Sequence, residues 1–111
     1  MKLPGDAVIS ADKLIRYLLA PRSRGDKSQW LAQAGYTASN WEALETDIRE
    51  QLLPLDALPE DMTPYGPMVV IRGDLVGPNG RVLRVRSCWM IETTTGQTKL
   101  ITMFPDRERG P

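Results

Sequence analysis

Hydrophobic residues in the first half of the chain recur at the spacing of amphipathic helices. A first helix is predicted over residues 11–20, where Pro21 ends it. A second, shorter helix is predicted over residues 27–34. The first helix is expected to bury one apolar stripe made of Leu14, Ile15 and Leu18. Residues suited to capping these two helices are Ser10, Asp26 and Gly35.

A third helix has the clearest pattern and is predicted over residues 40–53. Ser39 and Glu42 fit a capping box, in which each side chain bonds the backbone amide of the other residue. Residues 54–67 are then predicted to be a connector, because helices and central strands exclude proline at this density. The apolar side chains of the helix are Trp41, Leu44, Ile48 and Leu52, and the prolines of the connector are Pro54, Pro59, Pro64 and Pro67.

The second half of the chain alternates as β-strands do, over residues 68–76, 81–92 and 97–104. The sequence therefore predicts a single α+β domain covering residues 1–111. In it, two to three N-terminal helices pack on one face of a C-terminal antiparallel β-meander of at least three strands. Its parts are a helical half (1–53), the proline-rich connector (54–67), a sheet half (68–104) and a tail (105–111).

The lengths of the two turns between these strands predict their register. A three-residue first turn, with Gly80 in the left-handed conformation, places Ile71 opposite Ser87. A second turn of the same length places Trp89 opposite Ile101. Apolar residues then meet apolar residues, and the odd-numbered side chains face the helices.

This register puts a set of charged side chains on the other face of the sheet. Arg72 lies opposite Arg86, and Asp74 lies opposite Arg84. Two opposed arginines repel at a cost of up to about 1 kcal/mol. The pattern fits either a solvated face, where Asp74 relieves Arg84, or a site for an anion such as a phosphodiester, which a guanidinium binds through a planar fork of donors. The remaining pair on this face is Cys88 with Thr102.

The charge balance permits only a local basic patch. The 14 basic and 14 acidic residues give a formal net charge of zero. Between residues 66 and 104 the basic residues are Arg72, Arg81, Arg84, Arg86 and Lys99, and the acidic residues are Asp74 and Glu92. This modest excess is compatible with an anion-binding patch but not with nonspecific coating of nucleic acid.

Missing residue types exclude several chemistries. The chain has no histidine and one cysteine, so zinc sites, Ser-His-Asp triads and histidine acid–base pairs are not expected. It also lacks phosphate-cradling and dinucleotide-binding glycine motifs, and no metal or cofactor is predicted. If the protein cleaves RNA, Arg and Lys must stabilise the phosphorane, while a hydroxyl, a carboxylate or the 2′-OH itself handles the protons.

The sequence contains no apolar run near the roughly 20 residues that span a bilayer, and no apolar targeting segment at its start. The single cysteine, Cys88, cannot form an internal disulfide. A cytoplasmic protein without membrane contact is therefore expected. Cys88 is interpreted as a small half-buried side chain rather than a nucleophile, because no histidine could activate it.

Several short motifs resemble a small, functionally uncharacterised bacterial domain family. Its members occur alone, beside small antitoxin-like proteins, and as terminal domains of contact-dependent and polymorphic toxins. Some of these domains look similar to the barnase–EndoU–colicin–RelE group of metal-free ribonucleases, in which helices precede an antiparallel sheet whose open face binds RNA. The motifs are Leu3-Pro4, Lys13-Leu14, Tyr17-Leu18-Leu19-Ala20-Pro21, Gly25-Asp26-Lys27, Tyr65-Gly66, Gly77-Pro78-Asn79-Gly80 and Val85-Arg86-Ser87-Cys88-Trp89-Met90-Ile91.

The resemblance implies a site that includes Lys27, Arg86 and Ser87. The predicted register adds Arg72, Arg84 and Thr102. Each residue also has a plainer interpretation, as a solvated surface cation or as a hydroxyl packed in the sheet. The chain departs from the family at Asp26, where many relatives have a histidine; if that histidine is the catalytic acid or base, this protein is weakened or inactive as a nuclease.

Two functions follow as hypotheses. The first is a toxin-like, metal-free RNA-cleaving or RNA-binding domain that uses the basic face of the sheet. The second is a non-enzymatic immunity or accessory module, whose sheet edge or proline-rich connector docks a small antitoxin or immunity protein. The zero net charge and the missing histidine favour the second. A small-anion or nucleotide sensor would use the same arginines.

Overall fold

Four antiparallel strands form one sheet in the computed structural model, which describes residues 1–22 and 26–107. The strands follow one another in space as they do in the sequence, in the order β1-β2-β3-β4. The predicted α+β fold with helices packed on a β-meander is confirmed. The strands are β1 (Leu58–Thr63), β2 (Gly66–Val76), β3 (Val82–Ile91) and β4 (Thr98–Pro105).

The helices lie at the predicted places but are shorter than predicted. They are α1 (Lys13–Leu18), α2 (Ser28–Ala32) and α3 (Trp41–Asp47). α1 and the turn Ile48–Leu52, which extends α3, have the wider i→i+5 hydrogen bonds of a π-helix. At the end of α1, for example, the Leu19 amide donates to the Leu14 carbonyl over 2.8 Å. Gly35 follows α2 with φ +95°, the left-handed conformation that its position required.

The predicted capping box at the start of α3 is wrong. The chain turns earlier, in a 3₁₀ turn over Ala38–Asn40 that precedes the helix. The Thr37 amide donates to Asn40 Oδ1 over 2.7 Å, and Asn40 Nδ2 donates to the Gly35 carbonyl over 2.9 Å. The capping box is therefore formed by Thr37 and Asn40 rather than by Ser39 and Glu42, because the Asn40 amide satisfies two backbone groups at once.

The predicted register between β2 and β3 is confirmed. Ile71 lies opposite Ser87, and Gly80 has φ +87° in the turn between these strands. Between β3 and β4, however, Trp89 lies opposite Leu100 and not Ile101. The turn before β4 has four residues rather than three, since the Glu92 amide donates to the Gln97 carbonyl over 2.8 Å. A bulge beside Cys88 and Trp89 then restores the predicted register further along the strands.

The proline-rich segment 54–67 is more than a connector. It contains β1, which pairs with β2 at the edge of the sheet. An edge strand accepts Pro59, which has no amide hydrogen, because one side of the strand has no neighbour that requires a donor. The register also shifts between Pro59 and Asp61, where a bulge interrupts the pairing. The first five residues of β1 are exposed, and large parts of the Met62 and Tyr65 side chains, near the end of the strand and in the turn after it, lie in solvent.

The hydrophobic core lies between the helices and the odd-numbered side chains of β2 and β3. Its largest fully buried side chains include Trp89, Tyr36, Leu14, Leu44, Ile71 and Met103. Burial of this size stabilises a domain by about 25 cal/mol per Å² of apolar surface. Within residues 1–22 and 26–107, no helix has the length and apolar character needed to cross a membrane.

The tip of the β2–β3 hairpin holds the end of α2. The Asn79 amide donates to the Ala34 carbonyl over 3.3 Å, and Asn79 Nδ2 donates to the Gln33 carbonyl over 2.9 Å. Gly77 is essential to this contact, because a Cβ at this position would lie 2.1 Å from the Ala34 carbonyl oxygen. The hairpin therefore fixes the position of α2 against the sheet.

Candidate functional site

The face of the sheet that points away from the core, here called the open face, carries the predicted charged pairs. Arg72 lies opposite Arg86, and Asp74 lies opposite Arg84. Cys88 lies opposite Thr102 on the neighbouring strand pair. The three arginines thus share one surface, as the register predicted.

Two carboxylates that the sequence did not suggest lie among these arginines. Glu60 of β1 forms a close ion pair with Arg86, and Asp106 Oδ2 lies 4.0 Å from Arg72 Nε. The Asp106 side chain is only 1% exposed. The repulsion expected between Arg72 and Arg86 is therefore offset by carboxylates, and their opposition alone does not indicate an anion site. The sequence predicts Glu60 in the connector and Asp106 in the tail.

A cleft of about 450 Å³ lies beside Arg86, where β3 and β4 meet the segment before α2. Lys27, which directly precedes α2, lines the same cleft as Arg86. The structure thus brings together two of the predicted site residues from opposite halves of the chain. The other lining residues are Asp26, Trp30, Phe104, Pro105, Asp106 and Arg107.

Two aromatic rings give the cleft a surface for planar groups. Phe104 lies opposite Arg86 in the sheet, and the Arg86 guanidinium carbon is 5.5 Å from the centre of its ring. Trp30 lies on α2, three residues after Lys27, and is half-buried against the core. Aromatic side chains beside cations are suited to stacking a base next to its phosphate. Neither ring had been predicted to belong to a site.

Asp26 anchors the start of α2 and acts as a carboxylate. Its Oδ1 accepts hydrogen bonds from the Ser28 hydroxyl over 2.6 Å and from the Ser28 amide over 2.7 Å. These bonds, the hydroxyl's first, lower the pKa of Asp26 below its usual value. The Asp26 carboxylate is therefore ionised at neutral pH, and its bonds to Ser28 fix the start of the helix beside Lys27.

Cys88 lies near both cations of the cleft but is not activated by them. Burial raises the pKa of its thiol, and the charges of Arg86 and Lys27 oppose that rise without cancelling it. The thiol is buried and protonated at neutral pH. Its interpretation as a packed side chain agrees with this geometry.

Ser87 lies on the opposite side of the sheet from the cleft. It is fully buried among the core side chains, and its hydroxyl donates to the Ile71 carbonyl over 2.9 Å. The same oxygen accepts a hydrogen bond from Trp89 Nε1 over 2.9 Å. Ser87 therefore holds the core indole in place and does not reach the surface where Arg86 points.

The other three predicted residues remain on the open face. Arg72 borders a separate hollow of about 330 Å³ next to β1. Arg84 lies opposite Asp74, and the Arg84 carbonyl accepts a hydrogen bond from the Asp106 amide over 3.0 Å. The Thr102 hydroxyl oxygen is buried and has no hydrogen-bond partner in the described part of the chain. Of the predicted site residues, Lys27 and Arg86 are the two that line the cleft.

A metal centre is not evident in this arrangement. In residues 1–22 and 26–107, no group of three or more His, Cys, Asp or Glu side chains is placed to hold a metal ion.

Comparison with known proteins places the chain in a family. A family model described as "Domain of unknown function (DUF6883)" matches residues 2–107, and the protein belongs to this family. Among solved structures, the fold is similar to a chain of a contact-dependent growth inhibition toxin–immunity protein complex from Klebsiella pneumoniae 342. The two share 16% identity and a TM-score of 0.57 over 90% of this chain and 100% of the other. None of the curated proteins is significantly similar in sequence.

Proposed function

We propose that this member of the DUF6883 family is an RNA-binding component of a toxin system, and that it cleaves RNA without a metal ion. The observation that carries the proposal is the convergence of Lys27 and Arg86 on one cleft that also exposes Trp30 and Phe104. The similarity in fold to a chain of a toxin–immunity protein complex supports the toxin-system part of the proposal.

The cations of the cleft bind phosphate, and its aromatic rings bind a base. Arg86 offers a planar fork of donors to a phosphate, and Lys27 adds a mobile point charge. Trp30 and Phe104 stack a neighbouring base, a contact that is worth about 1–3 kcal/mol and tolerates any sequence. The nearby carboxylates, Asp26 and Asp106, keep the cleft from attracting anions indiscriminately.

Cleavage uses the same groups with the substrate's own nucleophile. The 2′-oxygen attacks the phosphorus and passes its proton to water, the bond from phosphorus to the 5′-oxygen breaks, and the departing 5′-oxygen takes a proton from water, which leaves a 2′,3′-cyclic phosphate. Arg86 and Lys27 stabilise the charge on the phosphorane. Because Asp26 is a weak base held by Ser28, proton transfer is inefficient, and we expect cleavage to be slow compared with binding.

The test uses a fluorescent single-stranded RNA and three variants. Arg86→Gln and Lys27→Gln should each weaken binding about 10-fold, the equivalent of about 1.4 kcal/mol for a charge-assisted contact. Arg81→Gln is the matched control, because Arg81 is exposed in the β2–β3 turn. Cleavage is followed in EDTA on the same RNA.

Equal affinities for wild type, Arg86→Gln and Lys27→Gln would refute the cleft as an RNA site. Lys27→Gln guards against a folding defect in Arg86→Gln, since Lys27 forms no ion pair that the described residues record, whereas Arg86 pairs with Glu60. If RNA binding depends on the cleft but no cleavage product forms in EDTA, the proposed metal-free cleavage is refuted and the proposed RNA binding stands.

A second candidate function is docking of a small immunity or antitoxin protein on β1. The edge strand and the turn after it expose Met62 (71%) and Tyr65 (69%). The exposed edge also carries Asp61, so the partner would add a strand with basic side chains. Coexpression with the product of the adjacent gene tests this function by size-exclusion chromatography. Met62→Glu should abolish a stoichiometric complex, whereas Val82→Glu, at an exposed position of β3, should not.

A further inference from the structure

Three cations surround one exposed aromatic ring next to the cleft. Arg22 Cζ lies 4.5 Å from the centre of the Tyr17 ring, Lys13 Nζ lies 4.9 Å from it, and Lys27 Nζ lies 5.8 Å from it. We call this set the Tyr17 cluster. Lys13 and Tyr17 both lie on α1, one turn apart, whereas Arg22 follows that helix and Lys27 precedes α2.

The cations of the Tyr17 cluster differ from the arginines of the open face in their ion pairing, and the neighbouring carboxylate of Asp26 is hydrogen-bonded to Ser28. In the described part of the chain, none of the three cations of the cluster forms an ion pair, whereas Arg86 pairs with Glu60 and Arg72 lies near Asp106. The cations lie within a Debye length of one ring, so they repel one another and attract mobile anions. The ring's negative face compensates only a small part of that repulsion.

Lys27 connects the cluster to the cleft, because it borders both. A line of cations therefore runs from Lys13 and Arg22, through Lys27, to Arg86. In the described part of the chain, the first three of these cations form no ion pair. Such a line of charge matches a ligand with repeated phosphates rather than a single one.

We propose that the Tyr17 cluster is a second phosphate-binding subsite, so that the ligand is a single-stranded oligonucleotide spanning the cleft and the cluster, not a mononucleotide. This inference rests on the proposed RNA site in the cleft. It assigns Lys13 and Arg22 to the binding of flanking phosphates, and Tyr17 to holding the cations in place.

The experiment compares two probes, fluorescent octauridylate and uridine 5′-monophosphate. The test variant is Lys13→Gln with Arg22→Gln. The control, Arg16→Gln with Arg81→Gln, removes the same charge; Arg16 lies on the same helix but pairs with Asp12. The test variant should bind the octamer about 10-fold more weakly than wild type at low salt. Its salt slope should fall by about 0.7 for each cation removed. Its affinity for the monophosphate should not change, and the control should lose less than 2-fold.

The outcomes separate the two proposals. If the octamer binds through Arg86 but the test variant matches the control, the second subsite is refuted and the cleft stands. If the test variant weakens both probes equally, the cations act only as a general field, which also refutes the subsite. If Arg86→Gln leaves octamer binding unchanged, the proposed function itself fails.

Discussion

Polar side chains on the two faces of the sheet find different partners. On the face towards the helices, the buried Ser87 hydroxyl and the Trp89 indole satisfy each other and the Ile71 carbonyl. On the open face, Arg72 and Arg86 keep 36% and 21% of their side chains exposed and lie beside carboxylates. Changes on the first face should therefore act on stability, and changes on the second should act on binding.

The largest effect is expected from two tryptophans, Trp89 in the core and Trp30 at the cleft. Trp89→Ala should lower the free energy of unfolding by about 3–5 kcal/mol, because it empties a fully buried site. Trp30→Ala should cost only about 1–2 kcal/mol, because the ring is half-buried, but it should weaken RNA binding. Urea denaturation followed by circular dichroism measures both costs. Equal costs would contradict the contrast between the faces.

A smaller effect is expected from the two hydroxyls of the predicted site. Ser87→Ala should cost about 1–3 kcal/mol, because it leaves the Trp89 indole N–H buried without an acceptor. Thr102→Val should stay within about 0.5 kcal/mol of wild type, since it removes a buried oxygen that has no described hydrogen-bond partner. The same denaturation experiment applies. A Thr102→Val cost as large as that of Ser87→Ala would show that the Thr102 hydroxyl has a structural role.

The smallest effect is expected from removing an acid on β1. Glu60→Gln removes the negative charge paired with Arg86 and should raise RNA affinity about 2-fold to 5-fold at low salt, corresponding to about 0.5–1 kcal/mol. Asp61→Asn removes the same charge from the next residue and should raise RNA affinity less. The Asp61 carboxylate accepts a hydrogen bond from the Met62 amide. Fluorescence anisotropy at two salt concentrations distinguishes the variants. Equal gains would indicate a general field rather than the Arg86 pair.

The sequence predicted the elements whose pattern is local. Alternation placed β2 and β3, and a glycine suited to a positive φ at position 80 fixed their register. β1 was missed because prolines conceal an edge strand, whose pairing requirements are weaker than those of a central strand. The bulge between β3 and β4 was missed because it depends on a turn one residue longer than expected.

The candidate site was only partly predictable, because it depends on tertiary packing. Register placed Arg86 on the open face, and Lys27 entered only through a resemblance in its loop. Their meeting depends on how α2 packs, which no spacing in the sequence reveals. Glu60 and Asp106 were missed for a related reason, since both lie in segments that had been expected to carry no side chains of the site.

The contact between the β2–β3 hairpin tip and α2 links two distant parts of the surface. α2 has five residues and spans only about 7.5 Å, with the hairpin at its far end and Lys27 at its near end. A side chain at Gly77 would push the Ala34 carbonyl away and shift this short rod along its axis. We therefore expect a side chain at Gly77 to move Lys27 and to change the width of the cleft, although Gly77 does not line it.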